Sequence, residues 1–266
     1  MPISQGHSGL DRKHHPSVVA LLHKYGETKD PREIMRSLAR KVIARAKKQG
    51  WEGPPFCPKE LCSLAGIRCS EVDYDIGGDG RILPNPNGFP QIEYLKGRMK
   101  ERQRFTLFHE FAHTFFSDYC KALPLHHNSS SDLSAAEKEF EKLCDLAASE
   151  MLFPFEDFTK DLRELSKLNF KELRYLSKRY LASIDATCYR TAGLANNIPL
   201  SFVFLTDRKG NFHGDGPLWI RHSSPSKTFR SFIERGRQPP ADSVALDCFR
   251  KGKLVSRVRK EVWEIG

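Results

Sequence analysis

Two histidines and a glutamate lie in one short stretch of the chain with the spacing of a metal site. Residues 104–113 read RFTLFHEFAH, in which His109 and His113 are four positions apart and Glu110 follows His109. Residues four apart share a face of an α-helix, so both imidazoles can point at one ion. Glu110 lies beside that face, within reach of a water molecule on the ion. The arrangement is typical of zinc-dependent hydrolysis with a carboxylate as general base.

A second acidic helix is predicted over residues 134–153 and offers a third ligand. Ser134 and Glu137 form a capping box at its start, and apolar residues recur at helical spacing from Phe140 to Met151. Beside that apolar stripe, Glu141 and Asp145 stand one turn apart. Glu141 can complete a His-His-Glu zinc site with water in the fourth position, and Asp145 can accept the outer N–H of His109.

Both blocks resemble those of the ImmA/IrrE-type metallopeptidases. Residues 104–113 resemble that family's "RFTLAHELGH" helix, and residues 141–154 (EKLCDLAASEMLFP) resemble its "E-x-x-A-N-x-F-A-A-x-L-L-M-P" block. The chain departs from the pattern at Asp145, where the family usually has Asn, and at Phe153, where it usually has Met. The resemblance covers roughly residues 36–195 and implies Zn2+ at His109, His113 and Glu141.

We expect an α+β fold with a zincin-like helical metallopeptidase core and a small antiparallel sheet, then a helical unit and a small β-rich C-terminal domain. The predicted divisions are a flexible N-terminal arm (1–30), a metallopeptidase domain with a helical extension (31–198) and a basic C-terminal domain (199–266). Strands are predicted at 67–74, 81–83 and 91–95, ahead of the histidine helix. A superficial helix-turn-helix pattern near Ala182 is interpreted as packing on the core.

The chemistry expected of this site is peptide hydrolysis. Zinc would lower the pKa of a bound water towards ~7, and Glu110 would take its proton and pass it to the leaving amine. Tyr119, His126 and His127 follow the first helix closely and are candidate oxyanion donors. Cys120 lies seven residues after His113 and is a candidate inhibitory zinc ligand, since a thiolate binds zinc strongly. The alternative for Cys120 is an ordinary half-buried thiol.

Composition bears on the compartment and the partners. The 266 residues carry a formal net charge of +10, which favours acidic partners, nucleic acid first among them. Seven cysteines without a C-x-x-C pair, a polar start and no run of ~20 apolar residues predict a cytoplasmic protein with reduced thiols and no membrane span. Aromatic residues lie among the cations of residues 199–266, a combination that suits single-stranded nucleic acid. The same aromatics could instead form a core with a solvated rim.

The resemblance also implies a substrate class. Members of the family typically cleave a helix-turn-helix repressor and so release stress, mobile-element or defence genes; we expect such a substrate here, with single-stranded DNA from DNA damage as a candidate activator. Two alternatives stay open. One is a non-catalytic DNA- or partner-binding regulator with a structural zinc site, and the other is a degradative peptidase of broad specificity. The intact Glu110 argues against the first, because a structural site has no use for a base.

Overall fold

The computed structural model describes residues 14–84, 89–119, 133–166, 168–195, 197–206, 217–241 and 243–251. The elements follow in this order: α1 (Pro16–Tyr25), α2 (Pro31–Lys48), α3 (Pro58–Leu64), β1 (Arg68–Val72), β2 (Gly80–Leu83), β3 (Gln91–Leu95), α4 (Lys100–His113), α5 (Ala135–Leu152), α6 (Phe155–Glu164), α7 (Phe170–Tyr180), α8 (Ile184–Leu194), β4 (Ser201–Thr206), β5 (Trp219–Pro225) and α9 (Val244–Lys251). The α+β fold class is confirmed. None of the described helices is long and apolar enough to cross a membrane.

The chain divides into two compact units. The first holds the described residues up to Glu164 together with Leu176–Ser183, and the second holds Leu165–Tyr175 and the described residues from Ile184 onwards. In the first unit, α5 packs against both α4 and α2, and the sheet packs against α4. The two metal-site helices are therefore central to this unit.

The three-stranded sheet of the first unit is mixed. Its order is β1-β3-β2, with β2 antiparallel to β3 as predicted, whereas β1 runs parallel to β3. The parallel pair arises because the chain passes from β1 through β2 before it enters β3. Of the described strands, β2 forms the edge that lies against α4.

Helix α2 begins and ends as its sequence indicates, but part of its basic face is occupied. Asp30 caps the N-terminus by accepting from the Arg32 amide at 2.9 Å, with Pro31 in the first turn. Arg40 pairs with the buried Glu150 of α5 at 2.9 Å, and Lys47 pairs with Asp157 of α6 at 2.8 Å. These two cations hold helices together, which reduces the charge that α2 can offer to a nucleic acid.

Helix α1 is packed into the first unit, which differs from the flexible arm predicted over residues 1–30. Val18, Leu21 and Leu22 are buried, and the His15 ring caps α1 and stacks on Phe140 of α5 at 4.5 Å. Burial lowers the pKa of His15 below its ordinary 6.5, against the opposing charges of nearby carboxylates: Asp118, Glu137 and Glu141. Residues 1–13 lie outside the described part of the chain.

The second unit pairs a helix with a two-stranded antiparallel sheet. Strands β4 and β5 pack against α8, and Tyr189, Phe204 and His222 form a continuous ring stack. The domain predicted to be β-rich over residues 199–266 contains β4 and β5, together with α9, a helix that the prediction did not include. Residues 252–266 lie outside the described part of the chain.

Candidate metal centre

Helix α4 brings the two histidines together on one face. The Nε2 atoms of His109 and His113 lie 3.2 Å apart. The His113 side chain is only 2% exposed, because Phe140 of α5 lies against its ring with centroids 5.2 Å apart. The i, i+4 spacing thus places both imidazoles on one face of α4, as predicted.

Helix α5 brings Glu141 to the same point. Its Oε2 lies 3.0 Å from His109 Nε2 and 4.0 Å from His113 Nε2. The capping box predicted at Ser134 and Glu137 is present and sets where α5 begins. The long gap after His113 includes residues 120–132, which lie outside the described chain, and α5 returns alongside α4.

These three residues fit a zinc ion. Zinc–ligand bonds of about 2.0–2.1 Å at tetrahedral angles place neighbouring ligand atoms roughly 3.3 Å apart. The spacings of 3.0, 3.2 and 4.0 Å among the two Nε2 atoms and the Glu141 oxygen scatter around that value. Two imidazoles and one carboxylate are also a donor set that zinc accepts in hydrolases. His109, Glu110 and His113 themselves form a cluster compatible with a metal ion.

Asp145 and Cys144 contact the outer nitrogens of the two histidines. Asp145 Oδ1 lies 2.9 Å from His109 Nδ1, which is the contact predicted from the sequence. Cys144 Sγ lies 3.5 Å from His113 Nδ1, a contact that the sequence reasoning did not foresee. The signal was available, since Cys144 is three residues after Glu141 on the same helix, but its position in an apolar stripe indicated only packing. Outer contacts of this kind orient a ligand ring.

The charges around His109 favour its protonated form while the carboxylates are free. Burial by itself would lower its pKa, but hydrogen bonds to Asp145 and Glu141 and the nearby charge of Glu110 raise the pKa to about 10. The ring thus bridges Asp145 at Nδ1 and Glu141 at Nε2. A divalent cation at Nε2 would take the place of one proton in this network.

Glu110 is buried beside the two histidines and is held by the edge strand. It is 5% exposed, and its carboxylate accepts a hydrogen bond from the backbone amide of Ile82 in β2. Its Oε2 is buried and meets no hydrogen-bond partner among the residues that the structure describes. Burial raises the pKa of Glu110 to about 7, and the neighbouring His109 charge and the Ile82 amide oppose this rise. A carboxylate with this pKa can both take up and release a proton near neutrality.

Gly80 allows β2 to approach α4 this closely. A Cβ on Gly80 would lie 2.3 Å from Thr106 Cγ2 and 3.2 Å from Glu110 Cγ. No side chain larger than hydrogen fits between strand and helix without moving one of them. Gly80 is a functional position that the sequence reasoning missed, because a glycine in the run GGDG reads simply as a turn.

Other predicted site residues lie elsewhere or outside the described chain. Tyr119 follows α4 in a turn, where its amide bonds the Phe116 carbonyl at 3.4 Å. Cys120, His126 and His127 lie in the segment 120–132, which is outside the described residues. The inhibitory role of Cys120 and the oxyanion roles therefore remain predictions.

Part of the chain is similar to a known protein family. Residues 75–192 match the model of a peptidase family described as the IrrE N-terminal-like domain, which confirms the resemblance to the ImmA/IrrE family. No curated protein matches the sequence. A Mycobacterium tuberculosis transcriptional regulator of known structure aligns at 15% identity with a TM-score of 0.49, over 78% of this chain and 58% of that one. The chain therefore aligns with a little over half of that regulator's length.

Proposed function

We propose that this chain, in which residues 75–192 match the IrrE N-terminal-like domain, is a zinc-dependent endopeptidase. It would make a site-specific cut in a regulatory protein. The observation that carries the proposal is the convergence of His109, His113 and Glu141 within 3.0–4.0 Å, with the buried carboxylate of Glu110 beside them. The residues that would hold zinc and the residue that would move a proton thus belong to one site.

The residues of the chain have separate tasks in this proposal. Zinc, when bound by His109, His113 and Glu141, supplies the Lewis acidity that activates water and polarises the scissile carbonyl. Glu110 takes a proton at its unpartnered Oε2 and delivers it to the leaving amine. Asp145 keeps the His109 ring in place through Nδ1.

The edge strand offers a place for an extended substrate. Strand β2 pairs with β3 along one edge, and at its other edge the Ile82 amide reaches Glu110. A peptide that paired with the part of this edge that Glu110 leaves open would lie beside the base and the metal ligands. The site is thus arranged for a segment of polypeptide rather than for a compact small molecule.

The substrate and the activating signal are inferred from the family resemblance and from the net charge of the chain. The resemblance to the ImmA/IrrE family favours a helix-turn-helix transcriptional repressor, whose cleavage would release stress or defence genes. The net charge of +10 favours single-stranded DNA as an activator. A cytoplasmic location and reduced thiols are part of the same proposal.

The alternative is a non-catalytic DNA- or partner-binding regulator with a structural zinc site. Structural zinc sites are usually closed by four protein ligands. Here the described residues offer two imidazoles and Glu141, while the nearby Cys144 faces the outer nitrogen of His113 rather than the ligand side. An open fourth position beside an unpartnered carboxylate suits a hydrolase better.

The test is intact-mass analysis of a candidate helix-turn-helix repressor, chosen first from any gene adjacent to that of this chain, after incubation with the zinc-loaded chain, with and without single-stranded DNA. Glu110→Gln should bind one zinc and leave the repressor whole. Glu101→Gln, the same change at an exposed position in the first turn of α4, is the matched control and should cleave like the wild type.

Each outcome has a defined meaning. One new cut with the wild type and the Glu101→Gln control alone supports the proposal, and DNA dependence would add the activator. Cleavage by Glu110→Gln would refute its assignment as the base. Zinc bound stoichiometrically without any cut would favour the regulator, and a pull-down with the same repressor would then measure binding.

A further inference from the structure

Two cysteines outside the metal centre are brought together by the reversal of the chain after α3. Gly66 adopts a φ of +75°, and the Ile67 amide bonds the Cys62 carbonyl at 2.8 Å. This is the arrangement that ends a helix and turns the chain back along it. Strand β1 begins immediately afterwards at Arg68, so its second residue, Cys69, returns beside the last turns of α3.

The alternation of β1 decides which of its side chains face the helix. Cys69 is in register with Ile92, which is fully buried, whereas the preceding Arg68 is exposed. The Cys69 side chain consequently points into the first unit, on the side of the Cys62 thiol, with which it interacts. Cys62 is fully buried, whereas Cys69 is half-buried.

The two thiols differ in chemical character. The hydrogen bond from Cys62, and the positive charge of Lys59 to a smaller extent, lower the pKa of Cys69 in spite of its partial burial. The hydrogen bond to Cys69 and burial raise the pKa of Cys62. A half-buried thiol with a lowered pKa next to a fully buried thiol with a raised pKa suits the pairing of an attacking and a resolving cysteine.

The other reading of clustered cysteines is a metal site, and the geometry disfavours it. Cys57, at the start of α3, is close enough to influence Cys62 electrostatically. Among the described residues, however, the metal-compatible cluster is that of His109, Glu110 and His113, and the three cysteines do not form one. The contact between Cys62 and Cys69 is therefore one between two thiols.

We propose that Cys62 and Cys69 form a reversible thiol-oxidation site, which takes hydrogen peroxide as its oxidant and closes to a disulfide. The Cys69 thiolate attacks one peroxide oxygen and the O–O bond breaks, which leaves a sulfenic acid on Cys69 and a hydroxide. The hydroxide takes up the proton that the Cys69 thiol released on ionisation and becomes water. The Cys62 sulfur then attacks the Cys69 sulfur, the S–O bond breaks, and a second water leaves with the proton of the Cys62 thiol. In sum, two thiols lose two electrons and two protons, and one peroxide becomes two waters.

The bond would tie α3 to the sheet. Cys69 lies in β1, whose partner β3 also pairs with β2, the strand that holds Glu110. The site does not depend on the proposed peptidase function, since none of its residues belongs to the metal centre.

The chain is well suited to a direct test, because trypsin separates the cysteines of this region. Cleavage after Lys59, Arg68 and Arg81 places Cys57, Cys62 and Cys69 in three different peptides: 49–59, 60–68 and 69–81. The reduced full-length protein is treated with hydrogen peroxide, its remaining thiols are alkylated, and the digest is analysed before and after reduction. We expect a 60–68/69–81 pair that dithiothreitol separates.

Alkylation rates of the wild type test the asymmetry without any substitution. At neutral pH, iodoacetamide should modify Cys69 at least about tenfold faster than Cys62. Cys144 and Cys188 are internal controls, because both are buried and burial raises the pKa of both thiols. They should stay unmodified while Cys69 reacts.

Three variants complete the test. Cys62→Ser should accumulate a Cys69 sulfenic acid that dimedone traps, and Cys69→Ser should leave Cys62 reduced. Cys57→Ser is the matched control and should still form the 60–68/69–81 pair. A disulfide through Cys57, oxidation of Cys69 to sulfinic acid without any linked pair, or equal alkylation of Cys62 and Cys69 would each overturn the proposal.

Discussion

Gly80 of β2 lies directly against the histidine helix, and Gly80→Ala should be costly for a steric reason. The added Cβ would lie 2.3 Å from Thr106 Cγ2, and 3.2 and 3.4 Å from Cγ and Oε1 of Glu110. Carbon atoms normally meet at about 3.5–4.0 Å, so the first contact is more than about 1 Å too short. Thr106 is buried and β-branched, and its side chain has little freedom to turn away.

The magnitude follows from what must move. Relief requires β2 or α4 to shift, and overpacking of this kind typically costs about 1–3 kcal/mol. Gly80 has no positive φ, so the cost is steric and not a matter of backbone conformation. The assay is urea unfolding of the metal-free protein, which keeps any change in zinc affinity out of the measured free energy of unfolding.

A matched glycine and a double mutant make the reasoning refutable. Gly78→Ala should change the free energy of unfolding by less than about 0.5 kcal/mol, because its Cβ would meet only the Gly80 carbonyl at 3.6 Å. Thr106→Ser removes the clashing methyl group and should cost about 0.8 kcal/mol alone. Combined with Gly80→Ala it should destabilise by clearly less than the sum of the two. Strict additivity, or a harmless Gly80→Ala, would refute the steric argument.

Further predictions concern the residues around the metal ligands. Asp145→Ala should weaken zinc binding about 10- to 100-fold in a chelator competition. Asp145→Asn should weaken zinc binding less, because the amide oxygen can still accept a hydrogen bond from His109 Nδ1. Equal losses of zinc affinity in the two variants would show that this hydrogen bond is unimportant. Cys144→Ala should also weaken zinc binding, by about tenfold, and Cys144→Ser should recover part of the loss, since a hydroxyl can replace the contact to His113. For His15, the folded-state pKa lies below 6.5, so the unfolded chain binds more protons and stability should fall as the pH drops below 6.5. His15→Asn replaces the capping ring nitrogen with an amide oxygen that can still accept from the Ser17 amide but cannot titrate. The difference in unfolding free energy between the wild type and this variant should therefore shrink from pH 8 to pH 5. A constant difference would contradict the lowered pKa of His15.

Local patterns were sufficient for the helices that carry the site. The proline and aspartate at the start of α2, the capping box at Ser134 and the i, i+4 spacing of His109 and His113 each act within one or two helical turns. Such signals depend on backbone geometry, which does not change with the rest of the fold. The predicted contact of Asp145 with His109 also succeeded, because ligand chemistry demands an acceptor at the outer nitrogen.

Local sequence patterns could not predict which distant segments of the chain pair with each other. A strand pattern for residues 68–72 does not reveal its partner, and the parallel pairing of β1 with β3 follows from the path of the chain through β2. The burial of α1 also depends on a surface made by α5, where Phe140 receives the His15 ring. The sequence pattern of a short helix with polar flanks does not show whether the helix is exposed to solvent or packed against another element.

The sequence by itself determined that two imidazoles and a carboxylate would share one helix face, since the helical period is a property of the backbone. It also determined where α5, the helix of Glu141, begins, through a capping box that acts locally. Only the tertiary structure decided that β2 would lie against α4 at Gly80, and the burial of Glu110 raises its pKa to about 7. Desolvation depends on what packs around a group, and the packing partners here come from a separate segment of the chain.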